Sequence, residues 1–220
     1  MFGKKKSNIE IDVTYIGVGW QDIILTVDEK KLEFHLSTYS VEIFSTLLCV
    51  LYHMHPLSLS DAYGATGGMY GNVFDYPTEN GEIYADIPYK AEFSWGNDIY
   101  SIADWTIQRP KNEKEIFDLD IQIVYEDIPN NIDSNKINFT VPYKDFCYAV
   151  IKAADKLLKE YGLLGYHSST YFEDFNLRYF LKLKAYLLNK EEYLEETEGE
   201  RYSNKTSIEK ELELLMMPMK

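Results

Sequence analysis

One stretch, residues 141–162, constrains this chain more than any other. Phe146, Ala149, Val150, Ala153, Leu157 and Tyr161 recur at helical spacing and form a single apolar stripe. Pro142 suits the first helical turn, where its missing N–H loses nothing. Gly162 suits the left-handed residue just past the helix end. Such a stripe has to be covered, and the upstream half of the chain supplies the cover as strands.

Ile9, Ile11, Val13 and Tyr15 alternate with Glu10, Asp12 and Thr14, the pattern of a half-buried strand. Gly17 and Gly19 interrupt it before a second strand over residues 20–27. Asp28, Glu29 and Lys30 make a polar turn, and Leu32, Phe34 and Leu36 then alternate with charged residues. The three segments predict a meander with one wet face. From Ser40, a plausible N-cap, the period changes to that of a helix carrying Val41, Phe44, Leu47, Leu48 and Leu51. It is apolar on most sides and should be well buried, and Pro56 ends it.

Residues 57–81 form a long irregular stretch that holds five of the chain's 12 glycines together with Tyr63, Tyr70, Phe74 and Tyr76. Connections of this length are functional or mobile, and the aromatic residues argue against simple disorder. Strand patterning returns over residues 82–126. Ile83, Ala85 and Ile87 alternate, then Ala91, Phe93 and Trp95. Gly96, Asn97 and Asp98 make a turn, residues 99–108 return with Trp105 as a core residue, and residues 109–113 turn again. Leu119, Ile121, Ile123 and Tyr125 form a further strand. Residues 128–136 read as a loop, and 137–140 as a short edge strand leading into the principal helix.

Beyond Gly162, residues 165–169 read as a polar corner. Thr170 and Glu173 match a capping box for a helix through Leu177, Leu181, Lys184 and Leu188, to about Asn189. Residues 190–220 hold nine Glu and are expected to be an acidic, partly mobile tail, with Thr206 and Glu209 capping a short helix through Leu212 and Leu215. The expected architecture is therefore α+β: an antiparallel sheet covered on one face by two or three helices, with a helical C-terminal part. Residues 1–189 form a single domain and residues 190–220 its tail.

The formal net charge is -14, shared as -8 over residues 1–110 and -6 over residues 111–220. No half is basic, so nucleic acid and anionic membrane surfaces are poor partners. A basic protein would instead be drawn in by long-range attraction. Acidic charge also serves solubility alone. The two cysteines, Cys49 and Cys147, sit in apolar helical stretches and read as buried thiols, which fits a reducing compartment. Residues 1–6 open like a signal peptide, but residues 7–12 alternate with charge where an apolar stretch should follow. No apolar run is long enough to span a bilayer. The expected location is cytoplasmic.

The chemistry-bearing residues do not converge in sequence. His53 and His55 stand two apart, which on a helix does not place both on one metal, so no metal is expected. The glycine-rich segment 64–71 lacks the Gly-Lys-Ser/Thr of a P-loop and the spacing of a dinucleotide fingerprint, and no cofactor is expected. It reads either as a structural loop or as an aromatic binding loop. Asp98, Asp104, Asp118, Asp120, Glu126 and Asp127 are carboxylates on strands and turns, where solvent-facing positions suit them better than a catalytic pair. There is no Gly-x-Ser-x-Gly elbow, and Cys147 between Phe146 and Tyr148 suits packing. His167 beside Ser168 and Ser169 establishes no catalytic hydrogen bond. No catalytic residue is assigned.

The compact acidic chain, the two cysteines, the Tyr-rich 61–81 loop, and strands followed by a helical block over 141–189 together resemble the immunity proteins of bacterial polymorphic toxin and contact-dependent inhibition systems. Such proteins share a role more than a fold, so no residue carries over. The resemblance implies an inhibitor that binds a cognate toxin in the cytoplasm of the producing cell. Read from the residues, the binding candidates are Tyr70, Asp75, Tyr76 and Glu79 in the long loop, joined by Asp98 at the turn. Aromatic anchors would supply contact area, and the acidic residues around them would steer a basic partner. Two other readings stand beside this one. One is an enzyme of unknown type, a hydrolase among the candidates, that uses the same loop as part of a pocket. The other is a structural or assembly protein.

Overall fold

The computed structural model describes residues 8–37, 43–60, 74–76, 78–79, 82–83, 87–97, 101–111, 115–127, 132–170, 175–194, 197–198 and 204–219. The expected meander is present. β1 (Ile9–Gly17), β2 (Trp20–Val27) and β3 (Lys30–Ser37) pair antiparallel in that order, with a bulge in β1 between Val13 and Tyr15. Ile11, Ile23, Leu25, Leu32, Phe34 and Leu36 fill its inner face, while Asp22, Glu33 and His35 stay on the wet one.

The helix α1 (Ile43–His53) follows, and all eleven of its residues are buried. The expected Ser40 cap lies outside the described residues. At the other end Ser58 Oγ donates to the carbonyls of His53 (3.3 Å) and His55 (2.9 Å), within a 3-10 turn over Pro56–Ser60. These bonds satisfy acceptors that the helix end leaves open. The described parts of the long irregular stretch are β4 (Phe74–Asp75), β5 (Thr78–Glu79) and β6 (Glu82–Ile83); β5 and β6 pair with each other.

A second sheet is built from β4, β7 (Lys90–Asn97), β8 (Ser101–Gln108), β9 (Asp118–Asp127) and β10 (Ile132–Pro142), in the order β10-β9-β8-β7-β4 and antiparallel throughout. β10 is longer than the expected 137–140 segment. Residues 132–136, read as loop from their Asn, Asp and Lys content, continue the ladder against β9 with a bulge between Ile132 and Asn135. Pairing to β9 overrides weak local strand propensity there. The two sheets meet through Phe34 of β3, whose ring centroid lies 5.9 Å from that of Trp95 and 5.3 Å from that of Tyr125, both edge-on. Trp95 and Trp105, 4.5 Å apart, are 2% exposed, so this aromatic knot is the centre of the core. Burying each such side chain contributes about 1.5–3 kcal/mol.

The principal helix α2 (Tyr143–Ser169) lays its stripe on the core as expected, with Phe146, Val150 and Ala154 at 0% exposure. Two details differ. Pro142 is the cap residue, with ψ 133, rather than the first helical residue. Gly162 (φ 68, ψ 171) bends the helix instead of ending it, and residues 165–169, expected to be a polar corner, are helical. Tyr166, fully buried and edge-on to Phe175 at 5.4 Å, holds that second segment down. Thr170 closes this helix by donating to the Tyr166 carbonyl at 2.8 Å. It does not cap the next one: α3 (Leu177–Leu188) takes Asn176 as its cap and ends at left-handed Asn189.

A 3-10 turn (Glu191–Leu194), the ribbon β11 (Thr197–Glu198) with β12 (Asn204–Lys205), and α4 (Ile208–Met216) complete the chain. Ser207, not Thr206, caps α4. Leu214 is buried and Leu215 packs against the core as expected, while Leu212 is exposed. Leu214 and Met219 belong to the core, which ties the acidic C-terminal segment to the rest of the fold.

Candidate functional site

An open groove of about 550 Å³ lies between β1 and α2. One wall is Asn8, Ile9, Glu10, Ile11 and Asp12. The other is a single face of α2, carrying Asp145, Tyr148, Ala149, Lys152, Ala153 and Lys156 at helical spacing, and Asp155 and Met219 complete the lining. This face adjoins the stripe that fills the core, and it exists because Ala149 and Ala153 are small enough to leave space beside the strand. Glu10 stands exposed on the rim and Asp145 is half-buried. Lys156 reaches across to Asp12 at 2.7 Å, and that carboxylate is the main reason its ammonium is pushed up from the usual range. On the wet face of the same sheet Trp20 stacks on His35 at 4.7 Å, and His35 Nδ1 is paired with Asp22. Tyr15, 46% exposed, adds a second aromatic there.

Of the five residues expected to bind a partner, Asp75 and Tyr76 have described side chains, and neither lines this groove. Asp75 is exposed on β4, at the edge of the second sheet, 3.6 Å from Lys90. Tyr76 is half-buried and packs on the core, so only part of its ring is presented. Glu79 lies in β5 opposite Glu82, with its side chain outside the described residues, as are Tyr70 and Asp98. Two of the strand carboxylates accept from hydroxyls of a neighbouring strand. Asp104 accepts from Ser94 Oγ at 2.5 Å, and Asp120 accepts from Thr140 Oγ1 at 2.6 Å, each on the polar face of the second sheet.

Two buried polar clusters hold His53, His55 and both thiols. His55 stacks on Tyr143 (4.8 Å) beside Tyr186 (4.6 Å), and its Nδ1 accepts from Leu57 N–H at 3.1 Å. Acceptance at Nδ1 places the proton of the neutral ring on Nε2. Burial, reinforced by the Arg109 charge and only partly opposed by the Glu115 backbone, lowers its pKa to about 4. Arg109 is itself buried, donating to the Met54 carbonyl at 2.6 Å with its guanidinium 4.2 Å over Phe117. Tyr143 donates to the Leu51 carbonyl at 2.8 Å. In the second cluster His53 Nε2 and Tyr179 OH share a 3.0 Å hydrogen bond. Burial pushes Cys49 and Cys147 up to about 12, which keeps both as thiols. A thiol protonated at neutral pH is a poor nucleophile. Among the described residues no three His, Cys, Asp or Glu gather to hold a metal ion, and no helix is long and apolar enough to cross a membrane.

Sequence reasoning missed the groove. Its signal was a second periodicity on the principal helix, Asp145, Tyr148, Lys152 and Lys156, offset from the apolar stripe and interrupted by two alanines. Comparison of the chain with protein-family models, with curated proteins and with solved structures found no match in any of the three.

Proposed function

We propose that this chain is a protein-binding inhibitor, an immunity protein that neutralises a cognate bacterial toxin by capturing a basic surface of it in the cytoplasm of the producing cell. The observation that carries this reading is the open groove beside β1, rimmed by Glu10 and Asp145 on a chain of net charge -14. Carboxylates around a concave site steer a basic partner into it and discriminate against acidic ones. Tyr15 and Trp20 on the same sheet supply the amphipathic contact area that dominates many interfaces. The alternative of a hydrolase is less well supported: Cys49, Cys147 and His55 are buried in states unsuited to attack or proton transfer at neutral pH.

The test uses tagged protein exposed to lysate of the producing cell at low and at high salt, followed by assay of the recovered partner's toxicity with and without this protein. The expected result is a basic partner, held at low salt, whose toxic activity is suppressed on binding. Glu10→Lys with Asp145→Lys should weaken that capture at least tenfold with little change in melting temperature. Capture indifferent to both salt and charge reversal, or a partner whose activity is untouched, would overturn the reading.

A further inference from the structure

The two edges of the β1–β3 sheet are treated differently. On β3, the N–H of His35 donates to Tyr125 OH at 3.2 Å and its carbonyl accepts from Ser101 Oγ, so the second sheet closes that edge with side chains. On β1 the situation follows from register. Residues that exchange hydrogen bonds across an antiparallel ladder alternate with residues that turn theirs away. The Asn8 carbonyl accepts from Asp28 N–H at 2.7 Å, which sets the phase. Glu10, opposite Thr26, and Asp12, opposite Ile24, therefore turn their backbone groups toward β2. Ile9 and Ile11 turn theirs away from β2, into the groove that both residues line. Among the described residues these outward groups meet no backbone partner. An edge left open in this way is a template for another strand, and proteins that do not use such an edge usually cover it.

We infer that the groove takes an extended, basic segment of the partner as an added strand on β1, seated between Ile9 and Ile11 on one side and Tyr148, Ala149, Lys152 and Ala153 on the other. This rests on the protein-binding reading above and specifies its chemistry. Asn8 to Asp12 present an edge roughly 13 Å long at about 3.3 Å per residue, which pairs four or so residues of a guest. Guest side chains would alternate between two environments. Those on the wet side would stand beside Glu10, and beside Asp12 where they would compete with Lys156 for its carboxylate, which selects Lys or Arg. Those on the inner side would meet Ile9, Ile11, Ala149 and Ala153, which selects small apolar residues. The recognised pattern is thus basic and apolar residues in strict alternation, with main-chain hydrogen bonds giving affinity and the alternate pockets giving specificity.

The test titrates the full-length protein, isotope-labelled, with acetyl-Lys-Val-Lys-Val-Lys-Val-amide up to millimolar concentration and follows residue-resolved amide exchange. The amides of Ile9 and Ile11 should slow at least tenfold, while those of Glu10 and Asp12, already paired to β2, change little. The Glu-Val counterpart, and a Lys-Val peptide N-methylated at alternate residues, should give no such protection. Ile9→Pro removes an outward N–H without touching the ladder to β2, as proline is tolerated on edge strands, and should weaken the Lys-Val peptide at least tenfold. Binding without protection at Ile9 and Ile11, or no binding at millimolar peptide, would overturn strand addition. The two proposals fail separately. Charge-dependent toxin capture that leaves Ile9 and Ile11 unprotected retains the inhibitor and removes strand addition. Protection by the peptide, with no toxin neutralised, does the reverse.

Discussion

Lys184 Nζ lies 2.6 Å from Asp155 Oδ1, joining α3 to α2 with the lysine side chain wholly shut off from solvent and the aspartate nearly so. Burial pulls the lysine below its usual pKa, and the aspartate opposes that pull. The pair has a further task. Lys184 also donates to the Leu215 carbonyl at 2.9 Å, Lys159 bridges Asp155 Oδ2 (2.6 Å) and the Met217 carbonyl (3.2 Å), and Met219 N–H approaches Asp155 Oδ2 at 3.5 Å. The acidic C-terminal segment is thus pinned to the helical layer by one carboxylate and two ammonium groups.

Breaking that pin should cost far more than replacing it. Asp155→Ala leaves a buried ammonium uncompensated and is expected to destabilise the fold by about 3–5 kcal/mol, which lowers Tm by roughly 10 °C in a chain of this size. Asp155→Leu combined with Lys184→Met removes both charges and should recover most of the loss. Urea denaturation of the three proteins decides the matter. A double variant as unstable as the single one would show that the cost comes from packing and not from the stranded charge.

His55 makes stability fall with acid. Its ring stays neutral in the fold down to about 4, against 6.5 for a free imidazole. Between those values the unfolded chain takes up a proton that the folded chain refuses. The contribution is therefore absent above pH 6.5 and grows as pH falls, reaching about 2 kcal/mol of destabilisation at pH 5 and about 3 kcal/mol at pH 4. Among the described residues, Tyr143, Tyr186, Phe117 and Arg109 face the ring, and only the Glu115 backbone favours its charged form. Comparing urea midpoints of the wild type and His55→Gln at pH 7.5 and pH 5 should show the variant losing less stability on acidification by about 2 kcal/mol. Parallel losses would sink the assignment.

Two glycines hold positive φ for different reasons, and alanine should separate them. At Gly162 (φ +68) an added Cβ meets nothing within 4 Å, so only backbone strain is felt, about 1–3 kcal/mol. At Gly96 (φ +82) the same Cβ would sit 2.2 Å from the Ser101 carbonyl oxygen, so strain and collision add in the β7–β8 hairpin. Gly96→Ala is expected to be the more damaging of the two in thermal and urea unfolding. The reverse order would show that the helix bend is the tighter constraint.

Periodicity determined much of this protein. The alternation of Ile9 to Tyr15 and of Leu32 to Leu36 specified the meander, because a slip by one residue would turn every apolar side chain to water. The apolar character of most of residues 43–52 specified a well-buried helix, and the stripe from Phe146 to Leu157 specified the principal helix. What local pattern could not fix was decided by partners distant in sequence. Residues 132–136 became strand because β9 was there to pair with them. Residues 165–169 stayed helical because Tyr166 found a buried place against Phe175. The groove exists only because a strand near the start of the chain lies beside a helix more than 130 residues later, with two alanines between them. Sequence order carries side-chain chemistry and local period. It does not carry the juxtaposition of Glu10 with Asp145 or of Asp155 with Lys184, which arises when burial of the apolar faces brings their elements together.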